Sequence, residues 1–182
     1  PALERVGWTP KEGEPALVSQ LRGDLIGALG TVAEDKACQE RARNLHARYE
    51  KDADAVERNL VPALVSIVAH TGEAAYYEKF YNKYKIAKTP QEETRYLFAL
   101  GAFRPPELID RTLKITVSGE VRTQNSPYVM RGILFNKDAR DKAWAFMKAH
   151  WEEMLRPYPD NSIPRLCEGI IGLVSAELEA DV

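Results

Sequence analysis

Cysteine and histidine are scarce in this chain of 182 residues. The two cysteines, Cys38 and Cys167, are too few for a disulfide scaffold, so we expect a reducing compartment, the cytoplasm. Both fall on apolar helical stripes, which favours buried spacers over nucleophiles. The three histidines (His46, His70 and His150) lie far apart, whereas a helical zinc-protease site needs two histidines four residues apart. Their spacing excludes that motif from this chain.

Other motifs for metals and phosphates are also missing. No glutamate stands three residues before a histidine, which excludes the Glu-x-x-His pairs of di-iron bundles. Gly23, Gly27 and Gly30 lie inside a predicted helix rather than a phosphate loop, and they predict close approach of a neighbouring helix. His150 and Glu153, one helical turn apart, could offer two metal ligands, but a solvated pair is the favoured interpretation. We predict no catalytic residue, metal site or cofactor in this chain.

An excess of one charge and a long apolar run are absent as well. The 25 lysines and arginines nearly balance the 27 acidic residues, whereas nucleic-acid binding requires a basic face. Tyrosines and lysines interleave between Tyr76 and Lys88 as on an RNA-stacking surface, but the charge balance favours a half-buried helix with lysines in solvent. The longest apolar run, Val61 to Ala69, is far shorter than the ~20 residues of a membrane span. We predict neither a nucleic acid nor a membrane as partner.

The ends and the length of the chain give weaker indications. It begins with Pro1 rather than Met and has no basic-then-apolar leader, so we expect a piece of a longer polypeptide without a secretion signal. A chain of this length buries ~70% of its unfolded surface, which is ample for a core. We predict a single helical domain spanning residues 1–182.

Apolar residues at steps of three and four dominate what is present. In the first predicted helix, Leu17, Leu21 and Val32 belong to the stripe that we expect to be buried, together with Leu25 and Ala28. The same periodicity predicts helices over Glu14–Val32, Glu34–Tyr49, Glu73–Ala87 and Asp138–Arg156, and a last stripe from Ile163 through Cys167 and Ile171 to Val174. The run from Val61 to His70 is apolar nearly all round, which favours a short central helix.

Capping residues predict where two further helices begin. The Thr89 hydroxyl can accept a hydrogen bond from the amide of Glu92, whose carboxylate can reach back to the Thr89 amide. Ser126 and Pro127 stand in the N-cap and N1 arrangement. These signals predict helix starts at Pro90 and Pro127.

Local rules conflict between Lys114 and Thr123. The segment fits a hairpin turning at Ser118 and Gly119, or a helix from Pro106 that ends with Gly119 at its C′ position. A lone hairpin is marginally stable, and no other strand pair is available to extend it. We therefore predict the helix.

The order of these elements predicts an all-α fold of about nine helices. Taken in pairs, the first members begin near Glu14, Val61, Pro90, Ser126 and Ser162. That rhythm is typical of stacked helical hairpins, although the repeats share no sequence similarity. We predict an irregular α-solenoid of HEAT- or armadillo-like hairpins.

The loop from Glu120 to Asn125 is the candidate binding segment. Arg122 and Gln124 can bind carboxylates or main-chain carbonyls, and Arg131 follows on the next helix. The alternative is that Arg122 and Gln124 satisfy the loose carbonyls at helix ends. Arg122, Gln124 and Arg131 are our candidate substrate-cavity residues.

Several segments, in order, resemble one protein family. They are Val6-Gly7-Trp8 with Gly13-Glu14 and Leu21-Arg22, Glu93-Thr94-Arg95-Tyr96-Leu97-Phe98-Ala99-Leu100-Gly101, Val121-Arg122-Thr123-Gln124-Asn125, and Ala143-Trp144-Ala145-Phe146 followed by Trp151. Through nearly the whole chain, this order is similar to the C-terminal helical domain of zinc aminopeptidases related to aminopeptidase N, puromycin-sensitive aminopeptidase and the endoplasmic-reticulum aminopeptidases.

The resemblance implies a function for a domain without chemistry of its own. In that family a bowl of HEAT-like hairpins closes over a separate catalytic domain, encloses the cavity for the downstream part of a peptide, and gates access to zinc. It implies as partners the catalytic domain of the same polypeptide and peptide substrates. The H-E-x-x-H and G-A-M-E-N motifs, and the zinc, belong to that missing domain. The family usually has aspartate where Asn125 stands and continues beyond Val182, so we expect an incomplete last hairpin.

Two other function classes remain as alternatives. A free-standing HEAT-like adaptor would recognise proteins on a concave face, and its gene would encode only this length. A small-molecule enzyme would need a nucleophile–base pair or a cofactor loop, which the sequence lacks.

Overall fold

The computed structural model describes residues 2–173, which fall into two compact units with the division between Thr71 and Gly72. Within the described residues there are eleven α-helices and no β-strand, which confirms the predicted all-α class. The two helices beyond the nine predicted arise from a short helix at the start and from a division at His150. The solenoid arrangement and the single domain stay predictions.

The first unit contains four α-helices. They are α1 (Ala2–Val6), α2 (Ala16–Thr31), α3 (Lys36–Lys51) and α4 (Val61–His70), with 3₁₀ turns at Ala53–Ala55 and Arg58–Leu60. Helix α4 is buried along most of its length and packs against α2 and α3, as its apolar sequence predicts. A Cβ at Gly30 would lie 2.5 Å from Ile67, and one at Gly23 would lie 2.8 Å from the Asn59 carbonyl oxygen. The predicted close approach of a helix is confirmed at Gly30. At Gly23 the close neighbour is a 3₁₀ turn, and Gly27 makes only an ordinary contact with Ala63, at 3.8 Å.

The predicted buried face of α2 is wrong. Leu17, Leu21 and Val32 are exposed, whereas the buried residues of α2 are Arg22, Gly23, Ile26 and Gly30. Glycines on that side admit the backbone and side chains of the following segment at short range, so the helix packs through its small residues. The leucine stripe faces away from this contact.

The second unit contains the other helices. They are α5 (Ala74–Ile86), α6 (Pro90–Ala99), α7 (Pro106–Val117), α8 (Ser126–Phe135), α9 (Arg140–Ala149), α10 (Trp151–Leu155) and α11 (Ile163–Cys167), with 3₁₀ turns at Leu100–Ala102, Asp160–Ser162 and Glu168–Leu173. Tyr77, Phe80, Tyr96 and Phe103 form a fully buried aromatic core with edge-on ring contacts. Burial of Tyr77 and Phe80 agrees with the half-buried helix predicted for this segment.

Helix α8 is the central element of this unit. It packs against α6, α7, α9 and α11, and its buried side includes Met130, Ile133 and Leu134. The side-chain amide of Asn136, just after α8, donates to the carbonyl oxygens of Gly101 at 3.1 Å and Phe103 at 2.9 Å. The residues that precede α8 are therefore attached to a well-packed helix.

Helix starts agree with the capping signals, with shifts of one residue. The amide of Glu92 donates to the Thr89 hydroxyl at 3.2 Å, as predicted, but the Glu92 carboxylate accepts from the Lys88 amide at 3.3 Å rather than from Thr89. Helix α8 begins at Ser126, so Asn125 rather than Ser126 is its N-cap. Helix α7 followed by Gly119 at φ +81° confirms the helix over the hairpin.

Two longer helices were predicted where the structure has shorter pieces. His150, at φ −113° and ψ 17°, separates α9 from α10, so Asp138–Arg156 is not one helix. The last stripe forms α11 and then a 3₁₀ turn, because Gly169 and Gly172 sit against Leu134 with no room for a Cβ. This change of winding leaves Ile171 exposed and Val174 outside the described residues.

The two cysteines differ in environment. Cys38 is buried, and burial raises the pKa of its thiol. Cys167 is partly exposed, so the prediction of a buried spacer is wrong there. Along residues 2–173 there is also no helix with the length and apolar character that crossing a bilayer requires.

Candidate functional site

The loop between α7 and α8 presents three consecutive exposed residues on a fixed backbone. Gly119 turns the chain in the left-handed region that glycine tolerates, and Val121 is buried in the unit. Arg122, Thr123 and Gln124 follow and face solvent. The main-chain carbonyl of Arg122 then accepts from the amides at 125 and 126, at 2.8 and 3.1 Å. The loop is thus closed by its own hydrogen bonds just before α8.

Two tyrosines of α5 attach Glu120 to the unit. The Tyr84 hydroxyl donates to the main-chain carbonyl of Glu120 at 3.1 Å, and the Tyr81 hydroxyl donates to its carboxylate. The Lys85 ammonium lies 3.8 Å from the same carboxylate. The hydrogen bond to Glu120 raises the pKa of Tyr81 to about 12. Both hydroxyls therefore stay protonated donors over the physiological range and hold the start of the loop.

Arg111 of α7 fixes the tyrosine that contacts Glu120. Its guanidinium lies over the rings of Tyr77 and Tyr81, 4.9 and 4.7 Å from their centroids. Both of its terminal nitrogens donate to the carboxylate of Glu78, and this hydrogen bonding raises the pKa of Arg111. The loop thus rests on a continuous set of polar and aromatic contacts with α5 and α7.

Arg122 pairs with a carboxylate of α6. One of its terminal nitrogens lies 3.2 Å from Oε2 of Glu93, in the first turn of that helix. The Arg122 side chain is 65% exposed, whereas that of Glu93 is 17% exposed. The partner in this contact is a side-chain carboxylate, whereas the alternative prediction has Arg122 bind carbonyls at helix ends. Gln124, two residues further along the loop, is exposed.

Arg131 lies in a different set of contacts. Its Nη1 is 2.6 Å from Oε2 of Glu168, which also pairs with Arg165. The hydrogen bond from Arg165, together with Arg131, holds the pKa of Glu168 below its ordinary value. The structure therefore gives Arg122 and Arg131 separate carboxylate partners on different elements.

Two exposed aromatic residues were not identified from the sequence. Phe98 of α6 and Tyr128 of α8 lie with ring centroids 6.2 Å apart, and both are more than one third exposed. Arg131 lies over the Tyr128 ring at 5.8 Å. Tyr128 and Arg131 are three residues apart, a spacing that places them on one helical face and could have revealed this pair. Phe98 and Glu93 gave no such signal, because their partners lie far along the chain.

His150 and Glu153 form a solvent-accessible pair. Nδ1 of His150 lies 2.7 Å from Oε2 of Glu153, and the ring of Phe146 stacks on the imidazole at 4.1 Å. Both members of the pair are solvent-accessible, as the favoured interpretation required. Among residues 2–173, no group of three His, Cys, Asp or Glu side chains is placed to hold a metal ion.

Comparison with known proteins identifies the family to which the chain belongs. The profile of the ERAP1-like C-terminal domain matches residues 1–182. The chain belongs to that family. The resemblance to aminopeptidase C-terminal domains predicted from the sequence is confirmed by this match and by the relatives below.

The relatives are aminopeptidases by name. The chain is 29% identical over 170 residues to Aminopeptidase M1-B of Oryza sativa subsp. japonica, covering 89% of this chain and 19% of that protein. It is 30% identical over 161 residues to Aminopeptidase M1 of Arabidopsis thaliana, covering 83% and 17%. It is also 30% identical over 155 residues to Alanine/arginine aminopeptidase of Saccharomyces cerevisiae, covering 85% and 18%. The chain thus spans less than a fifth of each of these relatives.

Proposed function

We propose that this chain is the noncatalytic C-terminal part of a zinc aminopeptidase, an enzyme that removes N-terminal residues from peptides. The observation that carries the proposal is the family match over residues 1–182. The named relatives are several times longer, which leaves ample sequence for a separate catalytic domain. In this proposal the zinc ion and its ligands belong to that domain, and the parent protein works in the cytoplasm.

The role proposed for this chain is to enclose the substrate cavity and to gate access to the zinc site. Its partners are the catalytic domain of the same polypeptide and the downstream part of a bound peptide. Arg122 and Gln124 are exposed on a loop that is hydrogen-bonded to α5, so the backbone that carries their donors is held in place before a peptide binds. Arg131 is a weaker candidate, because its side chain is 34% exposed, against 65% for Arg122, and its contact with Glu168 is the shorter of the two ion pairs.

The proposal is tested by kinetics on the full-length polypeptide that carries this chain. Arg122→Ala and Gln124→Ala should raise the KM for longer peptides about threefold to tenfold, since each removes a hydrogen bond worth ~1 kcal/mol. Turnover of aminoacyl-coumarin substrates should be unchanged, because they lack a downstream part.

The matched control is Lys114→Ala, which removes an exposed cation from the neighbouring helix α7. It should leave both substrates unaffected. If the two loop variants process long peptides and aminoacyl-coumarins like the unmodified enzyme, this loop is not a peptide contact.

A further inference from the structure

The ion pair between Glu93 and Arg122 is asymmetric in its exposure. The Glu93 carboxylate is largely covered, whereas most of the Arg122 side chain faces solvent, with 3.2 Å between the paired atoms. A guanidinium carries five N–H donors, and this contact engages one terminal nitrogen. Arg122 is therefore anchored on one side and offers the remaining donors outward.

The charge around these donors is not positive. Glu93 neutralises Arg122, and Glu120, on the same loop, is itself paired with Lys85 and accepts from Tyr81. Burial raises the pKa of Tyr84, and the charges of Glu93 and Glu120 add to that effect while Arg122 opposes it. Both carboxylates thus lie within electrostatic range of the Tyr84 hydroxyl.

The electrostatics favour one class of acceptor over another. A neutralised guanidinium can still donate to the oxygen of a main-chain carbonyl, which carries no charge. A peptide's C-terminal carboxylate would be repelled by the Glu93 carboxylate and would gain little from a cation that already has a partner.

We infer that Glu93 is a specificity-determining positioning residue, which directs Arg122 to main-chain carbonyls of a peptide rather than to its terminal carboxylate. The inference rests on the proposed function, because it assumes that Arg122 contacts substrate. It adds that recognition at this loop is indifferent to whether the peptide ends in a free acid.

The test compares two peptides of the same sequence, one ending in a free carboxylate and one in an amide, on the full-length polypeptide. The unmodified enzyme should show similar KM values for both. Glu93→Gln keeps the size of the side chain and a hydrogen-bond acceptor but removes the charge. It should lower the KM of the acid relative to the amide by about threefold, with kcat unchanged and the effect reduced by salt.

Two variants distinguish charge from structure. Glu93→Asp retains the charge and should restore the unmodified ratio of KM values. Glu107→Gln removes an exposed carboxylate from the first turn of the neighbouring helix α7 and should leave the ratio unchanged. A purely structural effect of Glu93 would alter both peptides equally.

The outcomes separate this inference from the function on which it rests. If Arg122→Ala raises the KM of both peptides but Glu93→Gln leaves their ratio unchanged, the role of Glu93 is overturned and the peptide contact stands. A clear preference of the unmodified enzyme for the free acid would also overturn it. If Arg122→Ala changes neither KM, the peptide contact itself fails.

Discussion

A buried arginine joins several segments near the start of the chain. Arg22 is fully buried, with Nε 3.1 Å from the Gly7 carbonyl oxygen and its terminal nitrogens within 2.6 Å of Glu14 and 3.2 Å of Glu57. These partners lie in two segments of the first unit, the connection between α1 and α2 and the connection between α3 and α4. One guanidinium therefore ties the segments before and after α2 to that helix.

Removing this arginine should be strongly destabilising. Arg22→Ala should lower the free energy of unfolding by ~3 kcal/mol or more, because it leaves covered carboxylates without a cation. Urea unfolding of the 182-residue chain measures the change. Arg48→Ala, at an exposed position on α3, should cost less than ~0.5 kcal/mol. Equal losses for the two variants would contradict a special role for Arg22.

The same network predicts how stability changes with acidity. The hydrogen bond from Arg22 holds the pKa of Glu14 below its ordinary value. A carboxyl whose pKa is lower in the folded state stabilises the fold above its unfolded pKa, and that contribution is lost as the pH falls through the folded pKa. The free energy of unfolding should therefore decrease below pH 4.5, and Glu14→Gln should weaken this dependence.

Urea unfolding at neutral pH and in the acid range gives the comparison. Glu12→Gln, at an exposed neighbouring position, should keep the pH profile of the unmodified chain. If Glu14→Gln loses as much free energy of unfolding between neutral and acid pH as the unmodified chain does, this carboxyl is not the source of the pH dependence.

The candidate site was only partly predictable from single residues. Arg122 and Gln124 could be expected to be exposed, because they stand in a polar stretch between two helices. Their surroundings could not, because Glu93 and Tyr81 are distant in sequence and no local pattern links them to the loop. Arg22 was missed for the same reason, since a lone arginine in a leucine-rich helix normally predicts a solvent position.

Helix packing is controlled by glycine at the contact of α2 with α4. A Cβ at Gly30 would approach Ile67 to 2.5 Å, but one at Gly27 would meet Ala63 at an ordinary 3.8 Å. The two positions share a helix and a residue type, yet they differ in available space. Of these two glycines, Gly30 is the one that the packing requires.

This difference gives a matched pair of substitutions. Gly30→Ala should destabilise the chain by ~1–3 kcal/mol, because Ile67 must shift in a packed core. Gly27→Ala should be neutral or stabilise by up to ~1 kcal/mol, since alanine is the better helix former. Thermal unfolding of both variants is the measurement. A stabilising Gly30→Ala would show that the helices can separate at no cost.

At the scale of elements, helix starts were predicted correctly where capping residues and prolines set them. The buried face and the winding of a helix were predicted wrongly where packing against other elements sets them. The Thr89 cap and the prolines at helix starts set boundaries, so α4, α6 and α7 begin where the sequence indicates. The leucine stripe of α2 and the last stripe were wrong, because glycine contacts with other elements select a different face or winding. Periodicity along one segment cannot report such contacts.

At the scale of the whole molecule, the chain should have no peptidase activity by itself. We expect no turnover of aminoacyl-coumarin substrates by the 182-residue chain supplied with zinc, because the required ligands belong to another part of the proposed parent enzyme. A helical circular dichroism spectrum recorded on the same sample checks that the chain is folded. Substantial turnover that a zinc chelator abolishes would contradict the proposed function.

Because the two thiols differ in exposure, one of them can be labelled selectively. A maleimide fluorophore reacts with accessible thiolate, so it should attach to Cys167 and leave the buried Cys38 unmodified. Cys167 directly precedes Glu168, the carboxylate shared by Arg131 and Arg165. A dye at this position would report changes at that cluster in the native sequence, without any engineered labelling site.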